Sequence, residues 1–366
     1  MIGNQCPLCS KGRLIDRDIC LPFFRHIDFS TVAQSGCIKL CKSCAVVICS
    51  QFFSQEQLHF TTQEYRGSRQ TDQPKKKDFD GTATTRTELQ AFNISQILQT
   101  PAPKILDIGC FDGRLLLHLS DLVTDGSFTG VDIMVDACDE VMGDRGITFS
   151  TDLKRALDGE YDLIIISHSI SYFPDLPLLL SAFRSALACG GALYIQMPDI
   201  VANPYYLLMG DQFFTFTPDC LIYLLAAHGF RALRLPAPEF PREAVVVATV
   251  GELNPRLVGD IDRRATDIES CLSFLQKKSH SSRNDESINT FGIFGTTVNA
   301  AFVDESTSCF AKFFVDEDPR RSQGLFRGKE VRSLEKLTNQ DRIYFPYDEN
   351  LRQKILRRTN ASLLQF

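Results

Sequence analysis

Apolar runs bounded by glycine and polar turns recur through the middle of the chain. The first, Lys104-Ile-Leu-Asp-Ile108, enters the turn Gly109-Cys-Phe-Asp-Gly113 and then the helix-like stretch Leu115-Leu-Leu-His-Leu119. A second short strand, Phe128-Thr-Gly-Val-Asp-Ile133, follows it. Tyr161-Asp-Leu-Ile-Ile-Ile-Ser-His168 is continuously apolar, the pattern of a strand buried on both faces of a parallel sheet. Residues 176–187 read as a helix, 190–198 as the next strand, 221–228 as a helix closed by Gly229, and 245–250 as the strand that completes the sheet. This alternation predicts an α/β class, with a doubly wound, Rossmann-like domain over residues 85–252.

The flanks read differently. Residues 61–93 are rich in Gln, Thr, Lys and Asp, and predict a connector over 61–84 followed by a helix from Thr87 to Leu98. Lys75-Lys-Lys77 lies beside Asp78 and Asp80 and reads as a solvated face. After residue 252 a polar hinge is expected from Gln276 to Ser287. The strand Thr290-Phe-Gly-Ile-Phe-Gly295 then enters a glycine turn, Phe313-Phe-Val-Asp-Glu-Asp-Pro319 follows, and Arg342-Ile-Tyr-Phe-Pro346 reads as the last strand. Short strands separated by helical or turn segments predict a second, smaller Rossmann-like domain over 253–366.

Candidate chemistry sits at the ends of the apolar runs. A glycine turn lets a ligand approach the backbone, and the helix behind it starts with unpaired N–H groups. Asp132 follows Gly113 by 19 positions, the distance at which a carboxylate binds a ribose diol. Ser167, His168 and Ser169 close the Tyr161 strand, where the carboxyl ends of parallel strands open toward a ligand. His168 reads equally as a base or as a satisfied histidine of the turn. At the N-terminus, Cys6-x-x-Cys9 and Cys41-x-x-Cys44 have the spacing of a four-thiolate zinc site, and residues 1–60 read as a zinc-binding module. A disulfide framework is the alternative. No signal peptide is read at the start, and most of the 13 cysteines are scattered through apolar segments, so a reduced, cytoplasmic protein is expected. Cys20, Cys37 and Cys49 are read as structural thiols.

The turn Asp107-x-Gly109 with Gly113 lacks the Gly-x-Gly-x-x-Gly dinucleotide fingerprint. It resembles motif I of the class I methyltransferases that use S-adenosylmethionine. The resemblance implies that Asp107, Gly109, Cys110 and Gly113 embrace the methionine part and Asp132 holds the ribose, with Ile133, Asp152 and Ser167 as further cofactor contacts. The order of paired cysteines, methyltransferase core and C-terminal α/β module resembles the bacterial sugar C-methyltransferases and their surface-glycan relatives over nearly the whole chain. In that family the paired cysteines are matched by Cys6, Cys9, Cys41 and Cys44, and the cofactor turn reads Asp-Ile-Gly-x-Asn-Asp-Gly, where this chain has Phe111 for the asparagine.

A sharper departure lies at Gly210-Asp-Gln-Phe-Phe-Thr-Phe-Thr-Pro218, where the family has Glu-His-x-x-Tyr-Phe. Asp211 and Gln212 occupy the first two places, Thr215 replaces the tyrosine and Phe216 is kept. An amide does not titrate, so Gln212 is no base, and Asp211 and His168 become the catalytic candidates. Asp211 reads as readily as a turn cap or a ligand for a substrate hydroxyl. Tyr205, Tyr206, Phe213, Phe214 and Phe216 would make an aromatic wall able to stack on a sugar, although such clusters are more often core. The resemblance also implies that Gly292, Gly295, Val315, Asp316 and Pro319 belong to a module that helps form a nucleotide-sugar cleft. Gly292 and Gly295 could admit a phosphate close to backbone N–H groups, and Arg320 and Arg321 could neutralise a diphosphate; the alternative is a structural lid whose arginines are solvated. Tyr65 and Arg66 would reach the active cleft.

Composition narrows the classes. The chain has 366 residues, 44% of them hydrophobic, which fills two or three cores. A net charge of −6 disfavours general nucleic-acid binding. No run is long enough to cross a bilayer. Three readings follow: a methyltransferase acting on a sugar, nucleotide-linked or within a surface glycan, with the acceptor a carbon or an oxygen; a zinc-bearing RNA base methyltransferase, suggested by Cys-Pro-Leu-Cys with Cys20 and His26; and a non-catalytic glycan-pathway binding protein.

Overall fold

The computed structural model describes residues 4–26, 28–49, 74–77, 83–135, 138, 146–252, 261–283, 291–308, 310–318, 321–347, 349–357 and 362–364. Tyr65, Arg66, Pro319 and Arg320 lie outside them. The chain divides into two compact units. One comprises Met1–Arg17, Ile38–Asn203 and Gln212–Ile268; the other comprises Asp18–Cys37, Pro204–Asp211 and Glu269–Phe366. The units are therefore interleaved along the chain, where the sequence suggested modules in series.

The first unit is built on seven strands: β1 Lys104–Ile108, β2 Ser127–Val131, β3 Ile147–Ser150, β4 Tyr161–Ser167, β5 Leu187–Pro198, β6 Phe230–Leu235 and β7 Glu243–Val250. Their order across the sheet is β3-β2-β1-β4-β5-β7-β6. β1 pairs in parallel with β2 and β4, and β4 with β5, whereas β7 runs antiparallel to both β5 and β6. Ile105, Leu106, Ile164 and Ile165 are wholly buried at the centre, as a strand covered on both faces requires. Each such side chain contributes roughly 1.5–3 kcal/mol by leaving water. The chain winds from β1 through β2 to β3 on one side and crosses to β4 on the other. The switch point, where ligands of such sheets bind, lies between β1 and β4.

Helices α1 Arg86–Ser95, α2 Arg114–Leu122, α3 Leu153–Ala156, α4 Leu176–Ala186 and α5 Pro218–Ala227 belong to this unit. α1 starts in a capping box: the Thr85 hydroxyl accepts from Glu88 N and the Glu88 carboxylate accepts from Thr85 N. Phe214–Thr215 pairs antiparallel with Val47–Cys49, which in turn pairs with Ile38–Leu40 of the strand Gly36–Cys41. That pairing corrects the aromatic-wall expectation. Phe213, Phe214 and Phe216 are core residues, at most 2% exposed.

The long helix α6, Ile261–Arg283, begins in the first unit and ends in the second. It corrects the expected hinge at Gln276–Ser287, of which residues 276–283 are helical. In the second unit, β8 Gly292–Phe294, β9 Phe313–Val315, β10 Leu325–Phe326, β11 Lys329–Arg332, β12 Arg342–Tyr344 and β13 Ser362–Leu364 form a sheet of order β10-β11-β9-β8-β12-β13. All its pairings are parallel except β10 with β11. β13 lies beyond the strand expected to be last. Helix α7, Val298–Ser306, follows β8, and α8, Glu349–Leu356, precedes β13. Tyr205 is buried here, edge-on to Phe274 and Phe302. Asp304, at 1% exposure, is neutralised by Arg327 Nε at 3.1 Å and Lys329 Nζ at 2.5 Å. Arg321 lies 3.8 Å from both Asp316 and Asp318 and donates to Thr296 Oγ1, so its charge is already matched by carboxylates. Among the described residues no helix is long and apolar enough to cross a membrane.

Candidate functional site

The carboxyl ends of β1 and β2 bring Asp107, Gly109, Gly113 and Asp132 together. Asp107 is 2% exposed and its Oδ1 has no hydrogen-bond partner. Burial, with Asp132 and Asp112 adding to it, pushes its carboxyl up to about 8. Gly109 has φ +80°, and a Cβ there would come within 2.5 Å of Ser169 Cβ. Ser169 cannot easily withdraw, because its Oγ donates to Ile108 O at 2.7 Å. Phe111 also takes a left-handed conformation, φ +50°, and its N–H donates to Asp132 Oδ2 at 2.9 Å. Phe111 thus holds a left-handed conformation that asparagine tolerates well and a bulky side chain rarely adopts. Burial raises Asp132, opposed by the backbone N–H groups of Phe111, Met134 and Ile133. Gly113, φ +73°, stands at the N-cap of α2 without a side chain to close it.

The remaining cofactor candidates have varied places. Cys110 is a buried thiol under the turn, against Gly130. Ile133 is exposed past the end of β2. Asp152 is a helix cap, its Oδ1 accepting from Arg155 N at 3.0 Å. Ser167 Oγ accepts from Gln90 Nε2 of α1 at 2.8 Å, which pins α1 to the end of β4. A bare carboxylate oxygen and a cradle only glycine leaves open, side by side at a switch point, suit a ligand with cationic and hydroxyl groups.

His168 stands next to this cradle with φ +59°, its N–H donating to Gln196 O at 2.7 Å. A non-glycine residue held there at the end of a strand stores backbone strain of about 1–3 kcal/mol. Two residues that the sequence did not single out meet its ring. Arg86 Nη2, at the start of α1, lies 2.6 Å from His168 Nε2, and Glu243 Oε2, at the start of β7, lies 3.1 Å from it. Arg86 and Glu243 pair at 2.6 Å. Gln196 Nε2 also donates to Glu243 Oε2 at 2.6 Å, and Tyr194 OH donates to Gln196 Oε1 at 2.6 Å. Burial works against ionised Glu243, but Arg86 and His168 beside it hold the carboxyl well below the usual range. The guanidinium stacks over Phe240 at 5.3 Å.

Asp211, the other expected base, belongs to the second unit. It is 1% exposed; Oδ2 accepts from His26 N at 2.7 Å and Oδ1 has no partner. Burial pushes it up to about 7. Gln212 donates to Tyr172 OH at 3.3 Å.

Cys6, Cys9, Cys41 and Cys44 are all buried, their sulfurs within 4.8 Å of one another. Cys6 and Cys44 stand 3.8 Å apart, Cys9 and Cys41 3.7 Å. A tetrahedron with zinc–sulfur bonds of about 2.3 Å has edges of about 3.8 Å, so four thiolates so placed fit zinc. Ser43 N and Cys44 N each donate to Cys41 Sγ at 3.4 Å, and His228 Nε2 holds Leu8 O of the other knuckle at 2.8 Å. Cys20, Cys37 and Cys49 stand outside the group.

Residues 82–235 match the family model of a methyltransferase domain, a span from just before α1 to the end of β6. A probable cobalt-precorrin-6B C(15)-methyltransferase of Thermoplasma acidophilum is 25% identical over 107 residues, covering 26% of this chain and 53% of the relative. A malonyl-[acyl-carrier protein] O-methyltransferase of Magnetococcus marinus is 33% identical over 98 residues, 25% of this chain and 36% of its own length. Human N-acetylserotonin methyltransferase, solved with S-adenosylmethionine, aligns at 19% identity and TM-score 0.37 over 45% of this chain and 51% of that one. The chain spans about half the length of the first of these curated relatives and about a third of the second. The first unit thus has a Rossmann-like sheet, and the span within it from 82 to 235 matches a methyltransferase-domain model.

Proposed function

We propose that this chain is an S-adenosylmethionine-dependent methyltransferase whose acceptor is a sugar hydroxyl, nucleotide-linked or within a surface glycan, and that a structural zinc sits in its four-cysteine group. The observation that carries the cofactor is the bare, buried Oδ1 of Asp107 beside the Gly109 cradle. Asp107 would hold the methionine ammonium, and Asp132 at the end of β2 the ribose diol. When bound, the cofactor supplies an electrophilic methyl group. The residues around it orient the acceptor and take its proton, because in-line displacement depends mainly on positioning.

The curated relatives are named for methyl transfer to carbon and to oxygen. Oxygen is favoured here because Gln212 stands where the family's base would be, and no strongly basic group replaces it at that position. His168 is the group available for a hydroxyl proton, lying one residue from Ser169, which touches the cofactor turn. The sugar class rests on the resemblance of the cysteine pairs and the C-terminal module.

Calorimetry on zinc-analysed protein tests the reading. Micromolar binding of S-adenosylmethionine, about −8 kcal/mol, with one zinc per chain supports it, and labelled methyl transfer to one member of a nucleotide-sugar panel identifies the acceptor. Absence of cofactor binding refutes it. With an acceptor in hand, His168→Asn is expected to lower kcat by about 10²-fold while leaving cofactor affinity unchanged.

A further inference from the structure

We propose that Arg86 and Glu243 are positioning residues for His168. Arg86 keeps Nε2 of the neutral ring as a hydrogen-bond acceptor, and Glu243 receives the Nε2–H once a proton has arrived. The proposal rests on the base role of His168 given above.

The three polar atoms form a tight triangle: Arg86 Nη2 to His168 Nε2 at 2.6 Å, Arg86 Nη2 to Glu243 Oε2 at 2.6 Å, and Nε2 to Oε2 at 3.1 Å. A guanidinium nitrogen carries two hydrogens and never accepts. One of them satisfies Glu243; the other points at Nε2. A ring hydrogen on Nε2 would have Glu243 Oε2 at 3.1 Å as an acceptor but would crowd that second hydrogen across the shorter, 2.6 Å contact. The tautomer that turns the short contact into a hydrogen bond carries the proton on Nδ1 and leaves Nε2 bare.

Three elements hold the groups around Nε2 in place. From α1 comes Arg86, its guanidinium face laid on Phe240. From β5 comes Gln196, whose amide is oriented because its oxygen accepts from Tyr194 OH, so its NH2 faces Glu243. From β7 comes Glu243, which Arg86 and Gln196 hold ionised. The charged groups in contact with Nε2 are thus one cation, Arg86, and one anion, Glu243. The side chains of Arg86, Glu243 and His168 are 24%, 16% and 30% exposed, so a small polar molecule can reach them.

The consequence is an exchange. An acceptor hydroxyl takes the place of the Arg86 hydrogen on Nε2. As the oxygen–methyl bond forms and the sulfur–methyl bond breaks, the electron pair of the broken bond stays on sulfur and the hydroxyl proton passes to Nε2. The new Nε2–H turns to Glu243, Arg86 keeps its bond to the same carboxylate, and the ring returns to neutral by releasing the proton to water.

Nitrogen-15 spectroscopy on the full, zinc-loaded chain reads the tautomer directly. The six histidines allow assignment by the signal lost in His168→Asn. At a pH where the ring is neutral, the expected result is a His168 proton on Nδ1, moving to Nε2 in Arg86→Met as Glu243 remains to accept it. A wild-type ring protonated on Nε2, or an unchanged tautomer in folded Arg86→Met, overturns the proposal. Should Arg86→Met not fold, the wild-type tautomer alone decides. S-adenosylmethionine calorimetry on the same samples separates the two ideas. Failure of the wild type to bind refutes the methyltransferase reading and leaves the tautomer result standing, whereas binding together with an Nε2–H ring refutes this proposal only.

Discussion

Replacing Gly109 by alanine tests the cofactor cradle through two separate costs. The first is backbone: at φ +80° an L-residue sits in the left-handed region, which costs roughly 1–2 kcal/mol. The second is overlap, since the new methyl would lie 2.5 Å from Ser169 Cβ and 2.8 Å from its Oγ. Ser169 is tied to Ile108 O at 2.7 Å, so relief requires breaking that bond or shifting the end of β1, a typical overpacking cost of about 1–3 kcal/mol. Together they predict a loss of about 2–5 kcal/mol, a large fraction of the roughly 5–15 kcal/mol by which domains are stable. Urea unfolding followed by circular dichroism measures the loss, and calorimetry measures an accompanying fall of at least about tenfold in S-adenosylmethionine affinity. Gly109→Ala combined with Ser169→Gly separates the costs. The double variant should recover the overlap part and keep the backbone part. A single variant within about 1 kcal/mol of wild type, or a double variant no more stable than the single, refutes the reasoning.

Asp107 gives a pH prediction. Its carboxyl titrates near 8 in the fold against an ordinary 3.8, so the fold favours the protonated form. That contribution is complete below about pH 4 and is lost as pH rises toward 8. A cationic ligand reverses the preference, so S-adenosylmethionine binding at pH 7 should release a proton, read as a buffer-dependent heat in calorimetry that Asp107→Asn abolishes; equal heats in buffers of different ionisation enthalpy refute it. Zinc removal by a chelator should lower the melting temperature sharply, since structural zinc contributes on the order of 10 kcal/mol to small modules. Cys44→Ala should leave less than half an equivalent of metal by absorption analysis, and a full equivalent in that variant would disprove the four-thiolate site.

The glycine turn and its acidic neighbours were legible because their signals are local. Strand, glycines and Asp132 fall within 29 consecutive residues, Lys104 to Asp132, and hydrophobic period alone orders them. The Arg86–Glu243 pair was not legible, for a directional reason. β7 enters antiparallel, so its first residue lies at the same rim as the last residues of β4 and β5. An apolar run such as Val245–Val250 shows a strand without showing which way it points, and Glu243 also lies beyond the span matched to known methyltransferase domains. The expected hinge at Gln276–Ser287 failed differently. Ile268, Leu272, Leu275 and Ser279 recur at helical spacing and are buried, and the polar residues between them cover the outer face of α6. Polarity was read there as absence of structure, when it marked one side of a helix.

The reversed strand also sets an order of events during synthesis. Asp107, Gly109 and Asp132 leave the ribosome early, and β1, β2 and β4 can assemble around them. Arg86 waits 157 residues for Glu243. At about 5–20 residues per second that interval is roughly 10–30 s. Over that time the nascent domain has its glycine turn and His168 but lacks the carboxylate that pairs with Arg86. The last central strand to insert delivers it, so completion of the sheet and completion of the Arg86–His168–Glu243 triangle are one event.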